Sequence, residues 1–365
     1  MRIAFRTDSS LQIGAGHVMR CLTLADAMRE RGAQCYFVCR PNPGHLFDLI
    51  YKRGHNIFPL PDLKQVSTPK LTGTAHAAWL GTDWASDAKD TLQALNDNLG
   101  SNAIDWLVVD HYALDIRWEN VLRQSARRIM VIDDLADRAH NCEVLLDQTY
   151  GREADDYRAL VSGKCNLLCG SQYALLRPEF SALRTYSMQR RAQPALSELL
   201  VSMGGVDKDN ATSRVLKALC IIPMLTGCKI TVVMGTTAPW LNEVNSMASD
   251  MPLPIRVMVG VSDMAQLMAD SDLAIGAAGA TSWERCCLGL PSIMALQAEN
   301  QRKVARGLVE AGAAVPFSPL IAEYQLEPII SSLISNPQRL IAMSNAAAQI
   351  VDGDGIRIIS AVFET

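Results

Sequence analysis

The sequence has no Cys-x-x-Cys pair, no low-complexity tract, no short-period repeat, and no apolar run approaching the ~18 residues that span a membrane. Each absence excludes something. Without paired Cys-x-x-Cys motifs, the common zinc and dithiol sites are not available. Ten cysteines are present. Most fall in apolar segments (Cys21, Cys35, Cys39, Cys220, Cys286, Cys287) and read as buried, reduced thiols. Cys165 and Cys169 come closest to a metal pair but lack a second pair, so no metal is expected. Positive charge is also short: 34 Lys and Arg face 38 Asp and Glu, a net charge of −4. A nucleic-acid surface is normally basic, so none is expected. A strand pattern begins directly after Met1-Arg2, leaving no secretory apolar region. The expected setting is cytoplasmic, without membrane insertion, and a monomer is compatible with it.

What is present is ordinary for a soluble enzyme: 49% apolar and 20% charged residues in a chain of 365. That length suits two domains. Strand and helix patterns alternate throughout. Apolar runs at 3–5, 35–39, 106–109, 129–132 and 144–146 read as strands, and most end in polar residues. Such runs describe a parallel sheet whose functional edge lies at the strand C-termini. Residues 60–81, rich in Thr, Pro and Gly, read as an irregular insertion without chemistry. A polar, proline-containing stretch at 186–197 reads as a linker. Alternation then restarts, with strands expected at 199–203, 229–234, 255–259, 273–275 and 293–296. The expected class is therefore α/β, with two doubly wound Rossmann-like domains facing a cleft, at 1–188 and 189–365. This is the architecture of GT-B nucleotide-sugar enzymes. In that class the last segment, here 337–365, habitually crosses back to the first domain.

Two motifs lie where a strand feeds a helix. The first is IGAGHVMR at 13–20. Gly14 and Gly16 match the opening of a dinucleotide loop, but Met19 stands in place of the third glycine. Arg40 follows the second strand, where an acidic residue would hold an NAD ribose. No cofactor is expected. Two readings remain: a tight turn with an incidental histidine, or a turn that presents His17 to a substrate. The positive end of a helix favours a neutral imidazole, the form a general base needs. Asp8 is the nearest candidate in sequence to orient it.

The second motif is GAAGATSWERCCLG at 276–289. Small residues and glycines, including Gly279 and Ala280, precede a helix start and suit a diphosphate. Glu284 in the first turn either compensates the helix dipole or accepts the two hydroxyls of a ribose. Gly204-Gly205 either make an ordinary strand-exit turn or admit a phosphate or sugar.

FRTDSSLQIGAGHVMRCLTLA at 5–25, VVDHY at 108–112, CGSQYALLRPEF at 169–180 and SMGGVD at 202–207 together resemble one family. It is the UDP-sugar hydrolases of pseudaminic acid biosynthesis, which act on UDP-2,4-diacetamido-2,4,6-trideoxy-β-L-altropyranose. The second domain also resembles the nucleotide-binding half of the transferase that adds N-acetylglucosamine to peptidoglycan lipid. The resemblance implies His17 as general base, with Gly16 and Arg20 in the same motif. It implies that Asn300, in AENQ at 298–301, contacts the sugar nucleotide, and that Glu284 binds the uridine ribose. Asp110, His111, Tyr112, Tyr173 and Arg177 fall in family motifs without separate roles. Plainer readings stand beside these: Asn300 as a helix cap, Arg177 as a surface ion-pair partner, Tyr173 as core, His111 as a satisfied sheet-edge histidine. The implied setting is pseudaminic acid biosynthesis and flagellin glycosylation.

The chemistry asks for one base. UDP is already a good leaving group, so no carboxylic acid is needed to protonate it, unlike an ordinary glycoside. Three functions stay open on sequence: a metal-independent inverting hydrolase, an inverting UDP-sugar glycosyltransferase, and a sugar-nucleotide binding module without need of His17.

Overall fold

Continuous apolar runs buried on both faces build the sheets, as parallel strands require. Ile3, Ala4 and Phe5, for example, are fully buried in the first strand. The computed structural model describes residues 1–63, 76–100, 104–296 and 301–364. The chain divides into two units, Met1–Leu175 with Gly355–Thr365, and Leu176–Asp354.

The first unit holds β1 (Arg2–Thr7), β2 (Gln34–Cys39), β3 (Asn56–Pro59), β4 (Ile104–Asp110), β5 (Ala126–Ile132), β6 (Val144–Asp147) and β7 (Asn166–Cys169). They form one parallel sheet in the order β3-β2-β1-β4-β5-β6-β7. The order reverses between β1 and β4. The crevice outside such a switch point is where doubly wound sheets bind ligands. The helix Gly16–Glu30 follows β1 and buries Val18, Cys21, Leu22, Leu24, Ala25 and Met28. It ends where Gly32, at φ +85°, donates to the Arg29 carbonyl at 2.9 Å. The closing helix Gly355–Val362 completes this core with Ile356 and Ile359, and Phe363 follows, its ring 4.8 Å from that of Trp106.

A charged knot fixes the other face. Arg6 Nη2 reaches Asp87 at 2.7 Å, Arg40 Nη2 reaches the same carboxylate at 2.8 Å, and Trp118 Nε1 donates to it at 3.1 Å. Burial alone would raise the Asp87 pKa; the two guanidinium groups outweigh it and hold it at about 2. Arg40 is thus turned inward, 1% exposed.

The second unit holds β8 (Glu198–Ser202), β9 (Lys229–Met234), β10 (Ile255–Val259), β11 (Leu273–Ala277), β12 (Ser292–Ala295) and β13 (Ala314–Phe317). They form a parallel sheet ordered β10-β9-β8-β11-β12-β13, with its switch point between β8 and β11.

The expected linker at 186–197 and boundary at 188/189 are corrected. The division falls at Leu175/Leu176, and the first half of that stretch, residues 186–191, lies in the helix Pro178–Arg191. The helix is held to the second unit by buried polar groups: Ser187 Oγ donates to the Leu288 carbonyl at 2.6 Å. Arg191 Nη2 donates to the carbonyls of Met268 at 2.9 Å and Ser271 at 2.7 Å. Two polar residues of the stretch, Ser187 and Arg191, are thus buried hydrogen-bonding groups rather than part of a solvated connection.

Candidate active site

The loop between β1 and its helix is shaped by two short-range devices. Ser10 Oγ accepts from the backbone of Gln12 at 3.1 Å and Ile13 at 2.9 Å. Gly14, at φ +81°, then donates to the Ser10 carbonyl at 2.8 Å. A side chain at that φ is strained, so the turn favours glycine. Gly16 is the first helical residue, and the N-cap Ala15 makes no side-chain cap. His17 therefore stands in the first turn, with Arg20 one turn on along the same face.

Both reach Asp110, the last residue of β4, across the switch point. His17 Nδ1 lies 2.6 Å from Asp110 Oδ1. Arg20 Nε donates to Oδ2 at 2.7 Å and Arg20 Nη2 to Oδ1 at 2.7 Å. Burial would raise the Asp110 pKa, but the charges and hydrogen bonds of Arg20 and His17 outweigh it and hold the carboxyl well below the usual range. An ionised Asp110 accepts a hydrogen bond from Nδ1–H, which leaves Nε2 as the acceptor of the ring. Asp8, the nearest candidate in the sequence, is engaged elsewhere: its Oδ1 accepts from the Arg40 amide at 2.7 Å, and its Oδ2 lies 2.8 Å from Arg6 Nη1.

The surroundings include residues that the sequence motifs did not single out. Arg20 Nη1 donates to Asp134 at 3.0 Å. Tyr112 presents its ring edge-on to His17, centroids 4.6 Å apart. Burial and the Asp134 charge push its hydroxyl pKa well up. His76 and Trp79, from the insertion read as empty of chemistry, pack on Tyr112 at 5.3 and 5.6 Å. No periodicity in that segment could have singled them out. His111 turns to its own loop: Nδ1 accepts from the Ala113 amide at 3.1 Å, and Nε2 lies 3.5 Å from Asp8. Burial pushes its pKa down to about 4. Tyr173, in the short helix Ser171–Tyr173, packs on the core of the first unit. His17, Arg20, Asp110 and Tyr112 are thus brought together, while His111 and Tyr173 make other contacts.

In the second unit the switch point carries both glycine segments. Gly204-Gly205 follow β8, and the Gly205 carbonyl accepts from Gly235 at 2.9 Å. Gly276 and Ala277 still belong to β11. A Cβ on Gly276 would sit 2.2 Å from Arg285 Nη1 and 2.8 Å from the Ser202 carbonyl. Arg285, only 2% exposed, holds the loop from beneath, its Nη2 donating to the Ala277 carbonyl at 2.8 Å and Ser282 Oγ at 3.0 Å. Burial pushes its pKa down to about 10. Nothing lies within 4 Å of the Cβ direction of Gly279, and Ala280 is exposed. The helix Thr281–Cys287 has no side-chain cap. The helix Ala211–Cys220 differs: Asp207 accepts from its first two amides at 2.9 Å each. Glu284 is part-buried, and burial pushes its pKa up to about 7 against the opposing charges of Arg177 and Arg285. Arg177 is tied at 3.0 Å to the Ser262 carbonyl. Asn300 lies outside the described residues. Among the described residues, no group of three His, Cys, Asp or Glu side chains is placed to hold a metal ion, and no helix is long and apolar enough to cross a membrane.

Comparison with known proteins agrees with this layout. Residues 203–355 match the glycosyltransferase family 28 C-terminal domain. The chain is 25% identical over 318 residues to the UDP-2,4-diacetamido-2,4,6-trideoxy-beta-L-altropyranose hydrolase of Campylobacter jejuni subsp. jejuni serotype O:2, covering 87% of this chain and 99% of that protein. It is 23% identical to the spore coat polysaccharide biosynthesis protein SpsG of Bacillus subtilis (strain 168), over 100% of this chain and 98% of that one. The crystal structure of MurG from Acinetobacter baumannii matches with a TM-score of 0.68 at 15% identity, covering 100% and 99% of the two chains. The chain therefore has the two-domain α/β fold of the GT-B type, matches the glycosyltransferase family 28 C-terminal domain over residues 203–355, and resembles the altropyranose UDP-sugar hydrolase along most of its length.

Proposed function

We propose that the protein hydrolyses UDP-2,4-diacetamido-2,4,6-trideoxy-β-L-altropyranose to the free sugar and UDP. The observation that carries this reading is the His17–Asp110 pair at the switch point of the first sheet, 2.6 Å apart. Asp110 holds Nδ1–H, and Nε2 takes a proton from water as the water attacks the anomeric carbon. Attack opposite the diphosphate breaks the C1–O bond and inverts C1. A positioned base contributes typically 10²–10⁴-fold, roughly 3–5 kcal/mol of barrier. The departing UDP needs no proton. Its diphosphate is assigned to the Gly204-Gly205 and Gly279-Ala280 backbone, its ribose to Glu284, and further sugar-nucleotide contacts to Asn300 and Arg177. Turnover without added metal is part of the proposal. It is supported by Asp110, whose carboxylate is engaged by Arg20, and Asp133, engaged by Arg138 at 2.8 Å. The proposed setting is cytoplasmic, in pseudaminic acid biosynthesis and flagellin glycosylation.

A second reading is an inverting UDP-sugar glycosyltransferase, favoured by the family 28 domain and the MurG-like fold. Turnover in ¹⁸O-labelled water without acceptor separates the two. Label in the free sugar beside unlabelled UDP supports hydrolysis at carbon. Label in phosphate, or release of UMP, sinks it. No turnover until an acceptor is added favours the transferase. Proton NMR of the first-formed anomer reads out inversion.

A further inference from the structure

The site contains an aromatic wall that the chemistry at His17 does not use. Trp79 stacks on Tyr112 with centroids 5.6 Å apart and planes 30° from parallel. His76 packs against both rings, 4.5 Å from Trp79 and 5.3 Å from Tyr112. Tyr112 meets His17 at 4.6 Å. His76 and Trp79 are each only half-buried, although stacked aromatic rings normally gain by full burial. Asp134 and Arg138 supply polar groups at the same edge: Asp134 accepts from Arg20, and the Arg138 guanidinium lies 6.0 Å from the Tyr112 ring centre. Burial pushes the His76 pKa down, with the charges of Asp137, Arg138 and His17 acting on it in turn. Apolar ring faces with a few convergent polar groups are how proteins build small-molecule pockets.

We propose that His76 and Trp79, with Tyr112, form the wall that binds the glycosyl group of the substrate, packing on its apolar C–H face and methyl substituents, and that they set specificity for a methyl-bearing sugar. This rests on the UDP-sugar reading above and extends it to a segment whose sequence carries no motif. Trp79 and His76 act as specificity residues, without a part in proton transfer. A hydroxyl in place of a methyl would meet the ring faces without a partner and bind less well.

The test is steady-state kinetics on Trp79→Ala, Trp79→Phe and His76→Ala, using the diacetamido-trideoxy UDP-sugar and its 6-hydroxy analogue, with UDP as competitive inhibitor. The expected result is a KM about tenfold higher for the 6-deoxy substrate in Trp79→Ala, the scale of one lost apolar contact. His76→Ala follows by a smaller factor. In both, kcat stays within about threefold. Preference for the methyl over the hydroxymethyl sugar shrinks, UDP inhibits as before, and Trp79→Phe restores KM. An unchanged KM and sugar preference in Trp79→Ala overturns the proposal while hydrolysis stands. So does a rise in KM matched by an equal loss of UDP affinity, or one that Trp79→Phe fails to repair, since both mark general disruption. If the wild type turns over neither UDP-sugar, the hydrolase reading itself fails, and the sugar wall with it.

Discussion

Asp110 Oδ1 sits 2.6 Å from His17 Nδ1, and the same carboxylate takes two further hydrogen bonds from Arg20. The histidine is held by an anion that is itself held. Replacing that anion by a neutral amide removes the preference for the Nδ1–H tautomer without emptying the space. Asp110→Asn is expected to lower kcat by about 10²–10⁴ with a much smaller change in KM. Initial rates beside an unchanged far-UV spectrum check it. Activity within twofold of wild type would show that Asp110 does not orient the base.

Arg20 joins Asp110 at 2.7 Å to Asp134 at 3.0 Å. Arg20→Met leaves a buried carboxylate with one partner fewer, a loss of about 3–5 kcal/mol in comparable buried pairs. The pH dependence follows in sign. The Asp110 pKa is depressed in the folded state, so its stabilisation is complete above the ordinary carboxylate value and is lost as pH falls through the folded value. Wild type should keep this contribution into strong acid, whereas Arg20→Met should begin losing it nearer pH ~4. Urea midpoints across the acid range measure this. Parallel acid limbs in the two proteins would contradict it.

Glu284, with its pKa pushed up to about 7, is only part-ionised at neutral pH. A carboxylate accepting two ribose hydroxyls binds in its charged form. Uridine, which has no phosphate to titrate, should bind more tightly as pH rises from about 6 to 8. Glu284→Gln should weaken it about tenfold and flatten the dependence. Calorimetric titration at several pH values decides the matter, and a variant that follows the wild-type curve would remove Glu284 from the ribose.

At Gly276 the added Cβ of an alanine would lie 2.8 Å from the Ser202 carbonyl, a backbone atom of the neighbouring strand. Side-chain adjustment of Arg285 cannot relieve that contact. Gly276→Ala should therefore destabilise the second unit by about 1–3 kcal/mol. A denaturant midpoint equal to that of wild type would show that β8 and β11 can part without penalty.

Much of this fold was legible in the sequence because buried parallel strands write themselves as apolar runs. The strands that did not show were β3, β7 and β13; a proline ends the apolar run of β3 and interrupts that of β13, and β7 opens on a polar Asn166. His17 was legible from its place between a strand and a helix. Its partner was not: Asp8 is nine residues away, while Asp110 is 93 away and adjoins only because β1 pairs with β4. Residues 186–197 misled because Ser187 and Arg191 look solvated in a string and are buried in the fold. His76 and Trp79 were invisible for a different reason. Their contacts depend on where an aperiodic segment lands, and no local pattern encodes that.

The closing helix Gly355–Val362 lays Ile356 and Ile359 into the core of the first unit, while everything from Leu176 to Asp354 belongs to the second. Synthesis runs from one end to the other at about 5–20 residues per second. The N-terminal sheet thus emerges early but lacks part of its core until the second unit has been made, an interval on the order of 10–40 s at that rate. During that interval the apolar surface beside Trp106 has no cover. The second unit, contiguous in the chain, can finish first. On the ribosome the order of completion is then the reverse of the order of synthesis.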